Sequence, residues 1–288
     1  MTAQAAPSSA SVEAGLTVRP LVADDLPALR RLLDADPVTH CFVASRLPER
    51  GRRLAAEFWA VDRGGQCVSA LHVGANVIPI ATDTGARRVL AERLRRTGRR
   101  GSSLVGPSLE VLDLWDRLGG SWGPAREIRA RQPVLAMDSD SPLEQDTHVR
   151  AVRIEEIDLL VPACIEMFTE EVGVSPVSGG AGPAYRSRIA ELIRAGRAFA
   201  RIESGRVIFK AEIGAATPDA CQIQGVWVAP DLRGQGLSTP AMAAVVRLSR
   251  QRVAPVVSLY VNDFNAAARR CYEAVGFRAA GEFATVLL

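Results

Sequence analysis

Apolar positions along the chain switch between a period of two and a period near 3.6, and each switch marks an element. From Leu16, "LTVRPLVADDLPALRRLL" predicts a short strand, an acidic turn and an amphipathic helix. "EFWAVD" and "QCVSALHVG" predict strands joined by the turn "RGG", and "NVIPIA" continues the sheet. "TGARRVLAERLRRTG" predicts a helix capped at Gly98, followed by the strand "SSLVG", the helix "LEVLDLWDRLG" and the strand "EIRARQPVLAM". "HVRAVRIEEIDLLVPACI" from His148 then repeats the opening pattern. Both copies carry an Arg inside the strand and acidic residues where a helix N-terminus favours them. The offset of roughly 130 residues is the size of a small α/β domain.

The second half continues with the helix "IDLLVPACIEMFTEEVG" ending at Gly173 and a Gly/Pro-rich loop, "VSPVSGGAGPA", over 174–184. "AYRSRIAELIRAG" predicts a helix stopping at Gly196, and "AFARIE" with "VIFKAEIGAA" a hairpin around "SGR". The strand "ACQIQGVWVAP", the helix "AMAAVVRLSRQ", the strand "VVSLYVN", the helix "NAAARRCYEAVG" and the strand "FRAAGEFATVLL" complete the chain. Hairpins mixed with βαβ crossovers predict an α/β (α+β) fold of mixed, mainly antiparallel sheets flanked by helices. The polar stretch "DSDSPLEQDTH", 138–148, is the expected linker. The expected organisation is a disordered tail over 1–15, a first domain over 16–137 and a second over 149–288.

Composition narrows the function classes. The net charge of +3 comes from interspersed acidic and basic residues, too small an excess to argue for nucleic acid. Nearly all basic residues are Arg, with Lys210 the only lysine, a bias that reads as the coding preference of a GC-rich bacterial genome. The five cysteines are scattered without C-x-x-C spacing, and His40, His72 and His148 show no metal spacing, so neither a disulfide framework nor a metal site is expected. The start lacks the basic and apolar regions of a signal peptide, and no apolar run approaches a membrane span. A cytoplasmic protein is expected.

Chemistry concentrates in "VWVAPDLRGQGLSTPAM", 226–242. Val226 and Val228 share one face of a strand that Pro230 ends, having no N–H to donate. Gly234 and Gly236 let the backbone turn with its amides inward, and the helix behind them adds unpaired N–H groups and its positive dipole end. With Arg233 alongside, the segment is a cradle for a phosphate or pyrophosphate. No lysine stands where a Walker loop needs one, and Thr239 takes the place of the third Rossmann glycine.

The segment resembles the acyl-CoA loop of the GCN5-related N-acetyltransferases (GNAT), whose motif [QR]-x-x-G-x-[GA] follows a strand ending in V-x-P. "VAP", Arg233 and Gly236 match, and Ser238 replaces Gly/Ala. "LYVNDFNAAARRCYEAVGF" resembles the family's second signature, with Asn265, Ala268, Tyr272, Gly276 and Phe277 in register. The resemblance covers roughly Val149 to Leu288 and implies direct attack of a primary amine on acetyl-CoA. It implies that backbone groups around Val226, Trp227 and Val228 pair with the pantetheine arm, one amide polarising the thioester oxygen. Arg233, Gly234, Gln235, Gly236, Leu237 and Ser238 would hold the pyrophosphate and Asn265 the cofactor near its helix, with no metal required. Tyr272 would be the general acid, because a phenol keeps its proton at neutral pH.

For the base, Glu212, Glu170 and Glu171 remain open, Glu212 first because a charge inside an apolar strand asks for a reason. The first half lacks the motif at its equivalent junction, "NVIPIATDTGARR", and is expected to be a degenerate, structural copy. The acceptor, the acyl length and the oligomeric state stay open. The alternatives are a non-catalytic acyl-CoA module and transfer of a larger acyl or aminoacyl group.

Overall fold

The computed structural model describes residues 15–48 and 57–288. Apart from Gly15, the expected tail lies outside the described residues. The chain divides into two compact units, Met1–Gln132 with Gly281–Leu288, and Pro133–Ala280.

In the first unit, β1 (Leu16–Pro20) leads through a single 3-10 turn to α1 (Leu26–Asp34), and a short helix, α2 (Cys41–Ala44), follows. The sequence pattern did not predict α2, whose four residues are too few for a helical period. Then come β2 (Glu57–Arg63), β3 (Gln66–Val73), β4 (Asn76–Ile80), α3 (Thr84–Thr97), β5 (Ser103–Pro107), α4 (Ser108–Trp122) and β6 (Glu127–Met137). The unit is completed by the end of the chain: β12 (Arg278–Leu287) places Phe283–Leu287 antiparallel to β5. On its other side, Arg126 N–H donates to the Leu287 carbonyl (2.8 Å) and Thr285 Oγ1 to Gln132 Oε1 (2.6 Å). Ala284 and Val286 enter the same core as Trp59, Leu90, Leu104 and Leu114.

The second unit repeats the order with β7 (Arg150–Ala151), α5 (Ile157–Val172), α6 (Gly182–Arg194), β8 (Ala198–Glu203), β9 (Arg206–Ala216), β10 (Ala220–Val228), α7 (Ser238–Arg252), β11 (Val256–Tyr260) and α8 (Ala266–Val275). Its sheet runs β7-β8-β9-β10-β11 and ends on Val134–Met137 of β6, antiparallel to β11. The units therefore part inside β6 and β12, and the polar segment 138–148, expected as a linker, lies within the second unit. A strand can belong to two cores when each end alternates toward a different one, which composition does not reveal. Recorded pairings are antiparallel except for β4 with β5 and β10 with β11, so the mixed, mainly antiparallel α/β reading holds. α6 begins at Gly182, two residues earlier than the pattern predicts, because Pro183 suits a first helical turn.

The repeat is physical as well as sequential. Arg19 forks onto Asp25 (2.5 and 2.8 Å), which also accepts from Val22 N–H (2.9 Å). Arg150 forks onto Glu156 (2.8 and 2.7 Å), which accepts from Arg153 N–H (2.9 Å). Each ties its opening strand to the start of the first long helix. The Arg150 guanidinium lowers the Glu156 carboxyl from 4.5 to about 2. A depressed carboxyl stabilises the fold above its unfolded value and loses that contribution as pH falls through the folded one. Glu156→Gln should therefore unfold at lower denaturant than wild type at neutral pH, with the gap closing between about pH 4.5 and 2.

Candidate active site

β10 leaves its neighbour part-way along. Its parallel ladder with β11 covers only Ala220–Gln222 against Val256–Ser258, and β11 goes on to pair with β6 through Tyr260. From Ile223 to Val228 the recorded pairing of β10 is with β9 alone. Between Gln224 and Trp227 that pairing shifts register, three steps on β10 facing two on β9, so a bulge sits where the strands diverge. Gly225 is the bulged residue at φ +60°. A Cβ there would lie 3.0 Å from Lys210 Nζ, 3.1 Å from Met167 Cε and 3.3 Å from Glu212 Cδ, so both conformation and space require glycine.

Beneath the bulge lies a buried polar cluster. Lys210 is 1% exposed and Glu212 9%. Glu212 accepts from Gln224 Nε2 (2.7 Å) and from Lys210 Nζ (3.5 Å). Cys164 and Met167 of α5 border it, and Tyr185 OH donates to the Cys164 carbonyl (3.1 Å). Burial pushes the Cys164 thiol and the Tyr185 phenol up, so both stay neutral at physiological pH.

Beyond β10, a 3-10 turn over Pro230–Leu232 leads into the glycine loop. Gly234 (φ +76°) and Gly236 (φ +79°) both take left-handed backbone. Ser238 is the first residue of α7, and Leu237 before it supplies no capping side chain, so no side chain covers the first-turn N–H groups. Gln235 Nε2 donates to the Asp231 carbonyl (3.2 Å). Arg233 is engaged: its Nε donates to the Val228 carbonyl (3.0 Å) and its Nη2 to Glu170 (2.8 and 3.2 Å). It thus ties the loop to β10 and α5.

Asn265 sits at the N-cap of α8, where its Oδ1 accepts from Ala268 N–H (3.1 Å), a local task distinct from the cofactor contact that the resemblance implies. Tyr272, about two turns further along α8, packs its ring edge-on to Phe277 and is 7% exposed. Among the described residues its hydroxyl has no hydrogen-bond partner. Burial raises the phenol, and the neighbouring Cys271 and Glu171 side chains add to it. Glu171 is an exposed residue in the last turn of α5. α5 therefore touches several parts of the candidate site, with Met167 against Gly225, Glu170 on Arg233 and the Glu171 charge acting on Tyr272. Thr239 Oγ1, 3.7 Å from Cys271 Sγ, joins the start of α7 to α8.

Sequence reasoning did not bring Lys210, Gly225 or the pairing of Glu170 with Arg233 into the site. The signal for the first was present, since the chain's only lysine falls inside an apolar strand. A cavity of about 550 Å³ lined by Pro162, Ala163, Glu166, Val207 and Trp227 includes none of the bulge, loop or Tyr272 side chains.

A strand that diverges at a bulge and then feeds a glycine loop and an uncapped helix has the geometry to take an extended, phosphate-ended ligand. The model of the Acetyltransferase (GNAT) family matches residues 182–277. Residues 182–277 belong to the GNAT acetyltransferase family. GNAT structures cover both units. An acetyltransferase of the GNAT family from Colwellia psychrerythraea is similar at TM-score 0.58 and 12% identity, over 94% of this chain and 99% of that one. A GCN5-related N-acetyltransferase from Sphaerobacter thermophilus matches at TM-score 0.59 and 17% identity, over 94% of each chain. A tandem GNAT protein from the clavulanic acid biosynthesis pathway matches at TM-score 0.53 and 15% identity, over 94% and 98%. At these identities the likeness is one of fold. Residues 56–160 match the model of a domain of unknown function, DUF4081. No curated protein matches the chain.

The first unit shares the GNAT-like fold, and its junction is already filled. Between β4 and α3 the connection is only Ala81–Asp83. Asp83 caps α3 by accepting from Ala86 N–H (2.7 Å), and Glu110 accepts from Thr82 N–H (2.9 Å) and from the Thr82 hydroxyl. Two carboxylates of the chain hold amides at a junction where the second unit has an open loop. Among the described residues no helix is long and apolar enough to cross a membrane, and no group of three or more His, Cys, Asp or Glu is arranged to hold a metal ion.

Proposed function

We propose that the chain is an acetyl-CoA-dependent N-acetyltransferase that acetylates a primary amine by direct attack within a ternary complex. The observation that carries the reading is the divergence of β10 from β11 at the Gly225 bulge. It leaves strand amides for the pantetheine and thioester, in line with the Gly234–Ser238 loop for the pyrophosphate. In this reading Val226, Trp227 and Val228 offer backbone groups to the pantetheine, while Arg233, Gln235 and Leu237 shape the loop. The amide group of Asn265 not used in capping faces the cofactor.

Glu212 takes the amine proton, directly or through one water, as the C–N bond forms and the carbonyl electrons move to oxygen. Its burial and its bond from Gln224 rank it above Glu171, which is exposed, and above Glu170, which Arg233 holds. An amide at the bulge donates to the developing oxyanion. As the C–S bond breaks, Tyr272 protonates the thiolate, and the proton on Glu212 returns through solvent to the phenolate. The burial that raises the phenol raises the basicity of a thiolate formed beside it as well, so the transfer stays matched.

Tyr272→Phe is expected to lower kcat by roughly 10²-fold or more, the usual worth of a placed acid. Acetyl-CoA affinity should hardly move. Unchanged turnover would remove Tyr272 from the chemistry, and cofactor binding without thiol release for any amine would favour a non-catalytic acyl-CoA module. The first test is calorimetric titration with acetyl-CoA. One site per chain is expected, because Asp83 and Glu110 already satisfy the first unit's junction. Thiol release with a panel of primary amines then identifies the acceptor class. The five free cysteines fit a reducing, cytoplasmic compartment.

A further inference from the structure

Lys210 is the one lysine of a chain whose other basic residues are all arginines, and it lies buried at 1% exposure on a strand of apolar neighbours. Stability alone does not account for it. A buried ion pair is seldom better than apolar packing of the same volume, and its partner Glu212 stands at 3.5 Å, long for a charge-assisted bond. Its location is specific. Nζ lies 3.0 Å from the point where a Gly225 Cβ would be, directly under the bulged peptide, with Glu212 on the same spot at 3.3 Å. The groups packed around the pair are Gln224 from β10, Cys164 and Met167 from α5, and the Tyr185 ring behind Cys164. None of the four carries a full charge, and the Arg188 guanidinium acts beyond them on Cys164 and Tyr185, so Lys210 and Glu212 are the charges nearest the bulge.

We propose that Lys210 is a positioning residue whose ammonium charge is masked by Glu212 at rest and unmasked under the Gly225 bulge when Glu212 accepts the proton of the attacking amine. This rests on the reading of the cleft as an amine acetylation site with Glu212 as base. At rest the two charges cancel. When the C–N bond forms, the amine proton passes to Glu212, which becomes neutral, while the carbonyl oxygen gains a negative charge at the bulge amide. The charge below the bulge thus rises by one unit in the step that places an anion above it. In a water-poor site such a fixed charge acts strongly on the transition state and weakly on bound substrate, the condition for raising kcat without tightening the ground state.

The carbonyl of bound acetyl-CoA reports that field without an acceptor. Acetyl-CoA labelled isotopically at the carbonyl carbon would be bound to wild type, Glu212→Gln, Lys210→Met and Lys210→Gln. Difference infrared spectra would be taken at several pH values from about 6 to about 9. The C=O band is expected at lower wavenumber in Glu212→Gln than in wild type, because the ammonium is unmasked. It is expected at higher wavenumber in both Lys210 variants, because the carboxylate is left alone. Lys210→Gln keeps a polar end in case methionine disturbs the fold. A band that stays in place across that pH range when Lys210 is neutralised overturns the proposal, whatever Glu212→Gln does. Failure of wild type to bind acetyl-CoA is a different result and would end the acetyltransferase reading itself.

Discussion

Gly236→Glu is expected to weaken acetyl-CoA binding at least 100-fold while the protein stays folded. Two effects add. The backbone at this position has φ +79°, which costs a residue with a Cβ about 1–2 kcal/mol. Nothing lies within 4 Å of the Cβ position, so the substitution creates no clash and the fold survives it. The larger effect is charge. A carboxylate in the loop stands against the pyrophosphate that the open amides of Gly234–Ser238 are proposed to hold. Like charges about 4 Å apart near a protein surface repel by about 4 kcal/mol. Gly236→Ala carries the strain without the charge and should lose no more than about 30-fold in affinity. Calorimetry on both variants, beside their melting temperatures, separates the two effects. Equal losses would assign the effect to backbone strain, and undiminished binding in Gly236→Glu would take the loop out of the site.

Deleting Gly281–Leu288 is expected to unfold the first unit, although the deletion removes the far end of the chain. These residues form the strand between β5 and β6 of that unit, and Phe283, Ala284 and Val286 are buried there. Burial of a Phe or Val side chain is worth about 1.5–3 kcal/mol each, and the five pairings with β5 are lost with them. The sum is comparable with the whole stability of a domain, about 5–15 kcal/mol. Hydrogen exchange read by mass spectrometry is the measurement. Amides of β4 and β5 should lose protection, whereas those of β9 and β10, whose recorded pairings lie within the second unit, should keep most of theirs. Full protection of β5 in the truncated chain would mean that the first unit closes its sheet without the returning strand.

Much of the candidate site is legible from local chemistry. Gly234, Gly236 and Pro240 announce a strand-to-helix turn because each restricts or frees its own backbone, and the N-cap at Asn265 follows from side-chain chemistry three residues from its partner. The opening repeat is also local: Arg19 with Asp25 and Arg150 with Glu156 are six residues apart and make the same fork. The Gly225 bulge is different, because a bulge is a relation between two strands and a lone glycine in a strand pattern has several explanations. Arg233 reads from its motif as a phosphate ligand, yet it is held by Glu170, 63 residues away. No spacing rule connects those two positions. Among the three carboxylates the apolar strand already set Glu212 apart, and the structure adds that it is buried and bonded to Gln224, which no local pattern carries.

By itself the sequence determined the element types apart from the short α2, the tandem repeat, the glycine-rich strand-to-helix turn, the tyrosine-bearing helix and the loss of the glycine motif in the first half. All of these depend on residues within a few turns of one another. The tertiary structure alone decided that the chain's last strand returns to the first unit and that Lys210 and Glu212 share the space under Gly225. It decided as well that Asp83 and Glu110 fill the first unit's junction. These are contacts between residues far apart in the chain or across a strand pair. They are set by which faces are buried together, a property of the packed core that no local pattern of residues carries.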